Sequence, residues 1–391
     1  MIRSYRYRLN PTRAQERTLF AWLAMTRELY NACLAERRDA WQKQRARVTA
    51  FDQMRALASV REIRPEFATV PIVVQRGAIR RLDRAFAGFF RRVKAKQTPG
   101  YPRFRNRHRW NSLLVDDLSG RVPIVAGGRR VAVPLLGKVK FKQHRPLEGT
   151  PKAMRLTLRA GCWFVTFACT DVPTKPLPPS NREVGIDLGL THFVATSDRD
   201  LVDVSMAERE ARVKLERAHR RVSRRTRGGG RRRVAVRLLA RAHERVANVR
   251  RERHIVLARA LVAAYGRIFV EKLNIVGLAR GMLAKSVHGA AWGGFLGWLR
   301  VKAEEAGREV VEVDPRGTSQ TCSGCGVVGE HKTLAERTHR CADCGLVLDR
   351  DVNAARNVLS AGRALRGGAA VVVAPRRSAK SESLLQAAAT N

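Results

Sequence analysis

Residues 4–9 alternate between large apolar and polar side chains, the period-two pattern of a half-buried strand, and Asn10-Pro11-Thr12 then marks a turn and a helix start. From there to about Val93 the apolar positions recur at helical spacing: Leu19, Leu23, Thr26 and Tyr30, then Ile79, Leu82, Phe86, Phe89 and Phe90. Pro65 and Pro71 divide this region into separate helices. The character changes at Thr98-Pro99-Gly100-Tyr101-Pro102. Short β-rich segments follow at 113–115, 131–133, 139–141 and 163–168, punctuated by Gly and Pro as in a small barrel or sandwich. Residues 173–179 are Pro-rich and charge-poor, the composition of a linker.

A second pattern begins at residues 183–198, which predict two strands joined near Gly189. Residues 209–264 form one long Arg-loaded helical stretch with a break at Gly228-Gly229-Gly230. Residues 267–272 and 309–313 read as strands. Between them, 291–305 is an amphipathic helix carrying Trp292, Phe295, Leu296 and Leu299. A cysteine cluster comes next, then a helix over about 352–364. From about Gly367 the chain is rich in Gly, Ala and Ser and reads as disordered. There is no internal repeat.

Composition decides which partner this architecture serves. Among 391 residues, 76 Lys and Arg face 34 Asp and Glu, a formal charge of +42. Self-repulsion at that charge opposes compaction unless a polyanion neutralises it, and nucleic acid does so with release of counterions. Most of the excess is Arg, suited to bidentate phosphate contacts, although a GC-rich genome also yields an Arg- and Ala-rich chain. The 45% hydrophobic content is enough to build cores. No apolar run approaches the ~20 residues of a spanning helix. The opening MIRSYRYRLNPTR lacks the apolar stretch of a signal peptide. The expectation is a cytoplasmic, nucleic-acid-facing protein with no membrane partner.

Of seven cysteines, Cys33, Cys162 and Cys169 are scattered among apolar neighbours and read as small buried hydrophobes. Cys322, Cys325, Cys341 and Cys344 form C-x2-C, fifteen intervening residues, then C-x2-C, the spacing of a four-thiolate zinc ribbon. Gly326 and Gly345 allow the tight turns such knuckles need. With four protein ligands the ion has no open position, so it is structural. A redox dithiol is the alternative, but two spaced knuckles fit it poorly. His331 and His339, between the knuckles, read as surface residues.

Three acids carry the candidate chemistry. Asp187 sits inside the apolar run Val184-Gly185-Ile186-Asp187-Leu188-Gly189, where a carboxylate is costly unless it faces a metal or another partner. Glu271 ends the strand Arg267-Ile268-Phe269-Val270. Asp351 stands before the helix beginning at Val352, where simple capping is the plain alternative. Asp349, two residues earlier, is a rival to Asp351; Asp198 and Asp314 are further acidic neighbours in sequence. Carboxylates converging from separate elements can hold two divalent ions, with Mg²⁺ the default for hard oxygen ligands.

Three segments closely resemble the TnpB family: Gly185-Ile186-Asp187-Leu188-Gly189-Leu190, then Val270-Glu271-Lys272-Leu273-Asn274, then Thr318 to Cys322 continuing through Asp349-Arg350-Asp351-Val352-Asn353 to Asn357. Tyr7 to Thr12, Gly100 to Arg105 and, more loosely, Leu82 to Phe86 with Phe89-Phe90 extend the resemblance over nearly the whole chain except its tail. Lys272 stands where an acidic residue often neighbours the family's catalytic Glu. The resemblance implies a mixed α/β and β multidomain chain. Its ribonuclease-H-like RuvC domain (179–317 and 350–366) would hold catalytic Asp187, Glu271 and Asp351 on Mg²⁺, beside a zinc ribbon at 318–349. A wedge β-barrel (1–12 and 94–178) would carry an inserted helical recognition lobe (13–93), and 367–391 would be a disordered tail. It further implies RNA-guided endonuclease activity, with a guide RNA from the chain's own locus and double-stranded target DNA as partners. The Arg-rich stretch 209–259 would line the channel for the RNA–DNA hybrid, against the plain alternative of a solvated helix face. Gln75 and Arg76 fall where such proteins contact the DNA beside the target. Two other functions remain open: a strand-joining transposase, and a catalytically idle nucleic-acid-binding regulator.

Overall fold

The computed structural model describes residues 1–115, 118, 123–125, 127–278, 284–329 and 336–367. It divides into two compact units, Met1–Pro173 and Thr174–Asn391.

In the first unit, β1 (Arg3–Asn10) is followed by α1 (Arg13–Gln44), α2 (Ala50–Arg55), α3 (Leu57–Ile63) and α4 (Ile72–Lys94). Then come β2 (Ser112–Val115), β3 (Arg130–Val133), β4 (Gly137–Lys142), β5 (Thr150–Arg159) and β6 (Cys162–Thr170). Thr12 starts α1 through a reciprocal cap with Gln15, which satisfies two backbone donors that the first turn would leave unpaired. The strands form one sheet in the order β2-β5-β6-β1-β4-β3, every pair antiparallel. The expected barrel or sandwich is thus a single sheet, with β2 and β3 at its two ends among the described residues. Because β1 lies inside the sheet, all four helices are an insertion between β1 and β2. Tyr5, Tyr7 and Leu9 point to the core opposite Phe167, Val165 and Trp163, the face that the period-two pattern sets.

The second unit contains β7 (Glu183–Asp187), β8 (Val194–Thr196), β9 (Leu201–Val202), α5 (Met206–Ser223), α6 (Gly230–Ala264) and β10 (Arg267–Glu271). It continues with α7 (Ile275–Leu278), α8 (Ala284–Ala290), α9 (Trp292–Ala306), β11 (Glu309–Val313), β12 (Thr338–Arg340), β13 (Val347–Asp349) and α10 (Arg350–Gly367). Its main sheet runs β11-β10-β7-β8-β9; β7, β10 and β11 are parallel, and β8 and β9 are antiparallel. Alternation along the strands separates two cores. Val184, Ile186, Ile268 and Val270 pack with α6 and α9, whereas Phe269 and Val313 pack with Val358 of α10 on the other face.

Two expectations change here. The segment at 173–179 is not a free linker, because the amides of Lys175 and Leu177 donate to the carbonyls of Glu305 and Ala306. The C-terminal carbonyls of α9 lack helical partners and take these instead. His339 is buried, not a surface residue, and lies in β12 opposite Leu348. His331 and the tail beyond Gly367 fall outside the described residues. No helix among the described residues is long and apolar enough to cross a membrane.

Candidate active site

Asp187 is the last residue of β7 and Glu271 the last of β10, neighbouring parallel strands whose register pairs Ile186 with Val270. Both carboxylates therefore end the same edge of the sheet. They also share parity with Gly185 and Phe269, which puts them on the face covered by α10. That helix approaches closely only because Gly185 lacks a side chain: a Cβ there would lie 2.1 Å from the Ala355 carbonyl oxygen. At Gly189 a Cβ would lie 2.6 Å from the His192 carbonyl oxygen and 3.3 Å from Asp351 Oδ2, so Asp351 reaches over the end of β7.

Of Asp349 and Asp351, Asp349 takes the capping role. The helix begins at Arg350, ahead of the Val352 start that the sequence predicts. Asp349 Oδ1 accepts the amides of Asp351 (2.8 Å) and Val352 (3.3 Å). Asp349 thereby satisfies amides that a helix start leaves without partners, and Asp351, in the first turn, is released from capping. Asp198 and Asp314 are engaged elsewhere: Asp198 accepts from Tyr265 and Arg182, and Asp314 from the Arg316 amide.

Asp187, Glu271 and Asp351 all keep part of their surface exposed. Burial, then the charges of Glu271 and Asp351, push the Asp187 carboxyl well above the usual range. Burial also raises Glu271, partly offset by a hydrogen bond from Thr318, and raises Asp351, with Asp349 adding to the effect. Three acids whose proton affinities are all raised have a strong electrostatic demand for cations. The donor set, hard oxygens from two strand ends and a helix start, fits Mg²⁺ or a similar divalent ion.

The cysteines form a tighter cluster. All four Sγ atoms lie within 4.8 Å of one another, with Cys322–Cys344 at 3.6 Å and Cys325–Cys341 at 3.5 Å. Tetrahedral Zn–S bonds of about 2.3 Å place sulfurs about 3.8 Å apart, so the donors fit a structural zinc-ribbon-like site. Each knuckle closes as expected: the Gly326 and Gly345 amides donate to the Cys322 and Cys341 carbonyls, at φ of 80° and 69°. Cys33 and Cys169 are buried, whereas Cys162 is half-buried and accepts from Arg8.

Gln75 is a correction. It is fully buried; its amide nitrogen donates to the Phe67 and Val70 carbonyls, and Arg61 donates to its oxygen. It braces the turn before α4 and offers no surface to DNA. Its neighbour Arg76 points to solvent. Two groups escaped the sequence reading. Asn353 and Asn357, one turn apart on α10, dock the segment ahead of the first knuckle, a spacing that could have been noticed. Thr318, which donates to Glu271, lies in a segment that carries the family resemblance, but nothing in the sequence ties it to Glu271.

Residues 167–282 match the family described as "Probable transposase", 292–358 match "Cas12f1-like, TNB domain" and 1–46 match "Helix-turn-helix domain". In this chain the last of these is a strand followed by one long helix. A "Putative RNA-guided DNA endonuclease" of Streptomyces pristinaespiralis is 33% identical over 93% of this chain and 90% of its own length. The "Putative RNA-guided DNA endonuclease InsQ" of Escherichia coli (strain K12) is 25% identical over 74% of each. The solved Cas12f1-sgRNA-target DNA complex aligns over 92% of this chain and 99% of that one, at 16% identity and a TM-score of 0.36. Fold and site together define a mixed α/β protein bearing a four-cysteine, zinc-ribbon-like group. The chain belongs to the TnpB family.

Proposed function

We propose that this chain is an RNA-guided DNA endonuclease that hydrolyses phosphodiester bonds at divalent ions held by Asp187, Glu271 and Asp351. One observation carries the reading. Two acids end the neighbouring strands β7 and β10 and a third stands in the first turn of α10, 165 residues of sequence in all, near enough that two of them raise the proton affinity of Asp187. The sheet order β11-β10-β7-β8-β9, with the two antiparallel strands beside β7, supports a ribonuclease-H-type RuvC domain at 179–317 and 350–366. Wedge (1–12 and 94–178), recognition (13–93) and ribbon (318–349) regions complete the arrangement. Relatives named RNA-guided DNA endonucleases support the same activity.

When bound, Mg²⁺ would make a water nucleophilic and neutralise charge at the leaving 3′ oxygen. The chain's own part is to hold carboxylates at strand ends that cannot drift, with Asp351 fixed by the cap that Asp349 supplies. The basic surface grips the polyanion. Residues 84–115 contain nine Lys and Arg and no Asp or Glu, with the exposed rings of Phe90, Tyr101 and Phe104 among them. Basic side chains interleaved with rings suit backbone and base contacts alike. The arginines of α5 and α6 would grip an RNA–DNA hybrid by its backbone. The thiolate ribbon needs reduced cysteines, which suits the cytoplasm.

The test is purified protein with RNA from its own locus, offered matched and mismatched duplexes with Mg²⁺. Matched DNA alone is expected to be cut, and Asp187→Ala is expected to lower the rate by roughly a thousandfold or more. Guide-independent strand joining would instead indicate a transposase, and guided binding without cutting a regulator.

A further inference from the structure

The segment between β11 and the first cysteine knuckle touches both the knuckle and the candidate site. Thr318 is buried, and its hydroxyl lies 2.6 Å from Glu271 Oε1 and 2.9 Å from the Pro315 carbonyl oxygen. It is the side-chain hydrogen bond that counters the effect of burial on Glu271. Thr318 itself is held from two sides. Its carbonyl accepts from Asn357 (2.8 Å), and that same amide reaches the Thr321 carbonyl at 2.6 Å. Asn353, fully buried, donates to the Thr321 carbonyl (2.8 Å) and accepts from the Ser323 amide (2.9 Å) on the far side of Cys322. The Thr321 amide closes the turn on Gly317 at 2.9 Å. Cys322 is thus bracketed by residues bonded to α10, and four residues before it stands the donor to Glu271.

We infer that Thr318 is a positioning residue for Glu271, and that the cysteine knuckle, latched to α10 through Asn353 and Asn357, holds that hydroxyl in place. The inference rests on the reading of Asp187, Glu271 and Asp351 as a divalent-ion site. The physical reason is rotational freedom. A Glu at a strand end turns about three side-chain bonds, and a hydrogen bond from a fixed hydroxyl removes most of that freedom before the ion arrives. The hydroxyl bonds one carboxylate oxygen and leaves the other for an ion. Outer partners of this kind tune metal affinity by roughly 10–100-fold. Ordering the knuckle with zinc and orienting a carboxylate thereby become one event, although the two sites share no ligand.

The experiment uses the full zinc-loaded chain, Mn²⁺ as the probe ion, and electron paramagnetic resonance of free Mn²⁺ to measure binding without turnover. Thr318→Val removes the hydroxyl at nearly constant volume, and Thr318→Ser keeps it. The valine is expected to weaken Mn²⁺ binding about tenfold with zinc stoichiometry unchanged, and serine to restore it to within about threefold. In guided cleavage, the valine should raise the metal concentration needed for half-maximal rate and leave the apparent affinity for target DNA as it was. Thr318→Ala repeats the measurement should the branched side chain disturb zinc loading. Asp187→Ala separates the two levels of the argument. If Asp187→Ala abolishes Mn²⁺ binding while neither Thr318→Val nor Thr318→Ala weakens it, the positioning role is overturned and the metal site stands. If Asp187→Ala leaves Mn²⁺ binding intact, the metal-site reading falls and this inference with it. A valine that lowers thermal stability without moving Mn²⁺ affinity would show Thr318 to be structural only.

Discussion

Within residues 174–391 Glu208 is fully withdrawn from water and Asp187 largely so, and the protein treats the two in opposite ways. Glu208, at the start of α5, is completely buried. Arg212, Arg250 and Arg253 stand 2.7, 3.1 and 3.4 Å from its oxygens. Burial alone would raise its pKa, but these guanidinium groups outweigh it and hold the carboxyl below its ordinary value. The same arginines continue the network: Arg253 lies 3.8 Å over the Phe193 ring, and Arg212 donates to the Gly289 carbonyl. Asp187 has the reverse surroundings, two further carboxylates and no cation among the described residues that outweighs them. A buried acid given cations by the fold is finished structure; one given mainly anions suits a cation that arrives later, as the proposed site requires. The difference sets the proposed site apart where burial alone would not.

Experiment can break this contrast. Glu208→Gln should cost the most stability, about 3–5 kcal/mol, because it leaves three arginines facing an uncharged group; urea unfolding measures it. Asp187→Asn should do the opposite in metal-free protein. Removing a repelled, desolvated charge should add roughly 1–2 kcal/mol, a rise of a few degrees in melting temperature, while guided cleavage is lost. A destabilised Asp187→Asn would mean that some unrecognised cation already neutralises this acid.

Acidity separates the pair by sign. The lowered pKa of Glu208 contributes stability above its unfolded value near 4.5, and this is lost as pH falls through the folded value. The raised pKa of Asp187 works the other way: its protonated form is favoured in the folded state, so stability is full below 3.8 and declines as pH rises through the raised value. In chelator, Glu208→Gln should flatten the acid limb of the stability curve and Asp187→Asn the limb above it. A saturating divalent ion should remove the second effect alone. The smallest change is expected at Asp314→Asn, within about 0.5 kcal/mol, because that exposed acid belongs to neither group.

How much of this could be read along the chain depends on the distance over which each feature is encoded. The zinc-ribbon-like cluster was legible because its ligands fall within 23 residues and two knuckles repeat one local turn. Asp187 and Glu271 stood out because an acid closing an apolar strand is costly without a partner. Between Asp349 and Asp351 the sequence favoured Asp351 as adjoining the helix, whereas the structure makes Asp349 the cap and sets Asp351 inside the first turn. Gln75, placed by resemblance alone, proved to be a brace, as its position four and seven residues before Ile79 and Leu82 on the helix's apolar face would have indicated. The Glu208 cage was invisible, its arginines lying 4, 42 and 45 residues away among many others on α5 and α6.

Sequence by itself therefore determined most of the elements, their apolar faces, the thiolate cluster and the polyanion-seeking charge, which follow from composition and short-range periodicity, while the acids were proposed through a family resemblance. Tertiary structure alone decided that β7 and β10 end side by side, that α10 lies close enough to bring Asp351 over them, and that Thr318 reaches Glu271. Those are relations among side chains far apart in sequence. Their energies depend on distance and on exclusion of water, and neither exists until the sheet has formed.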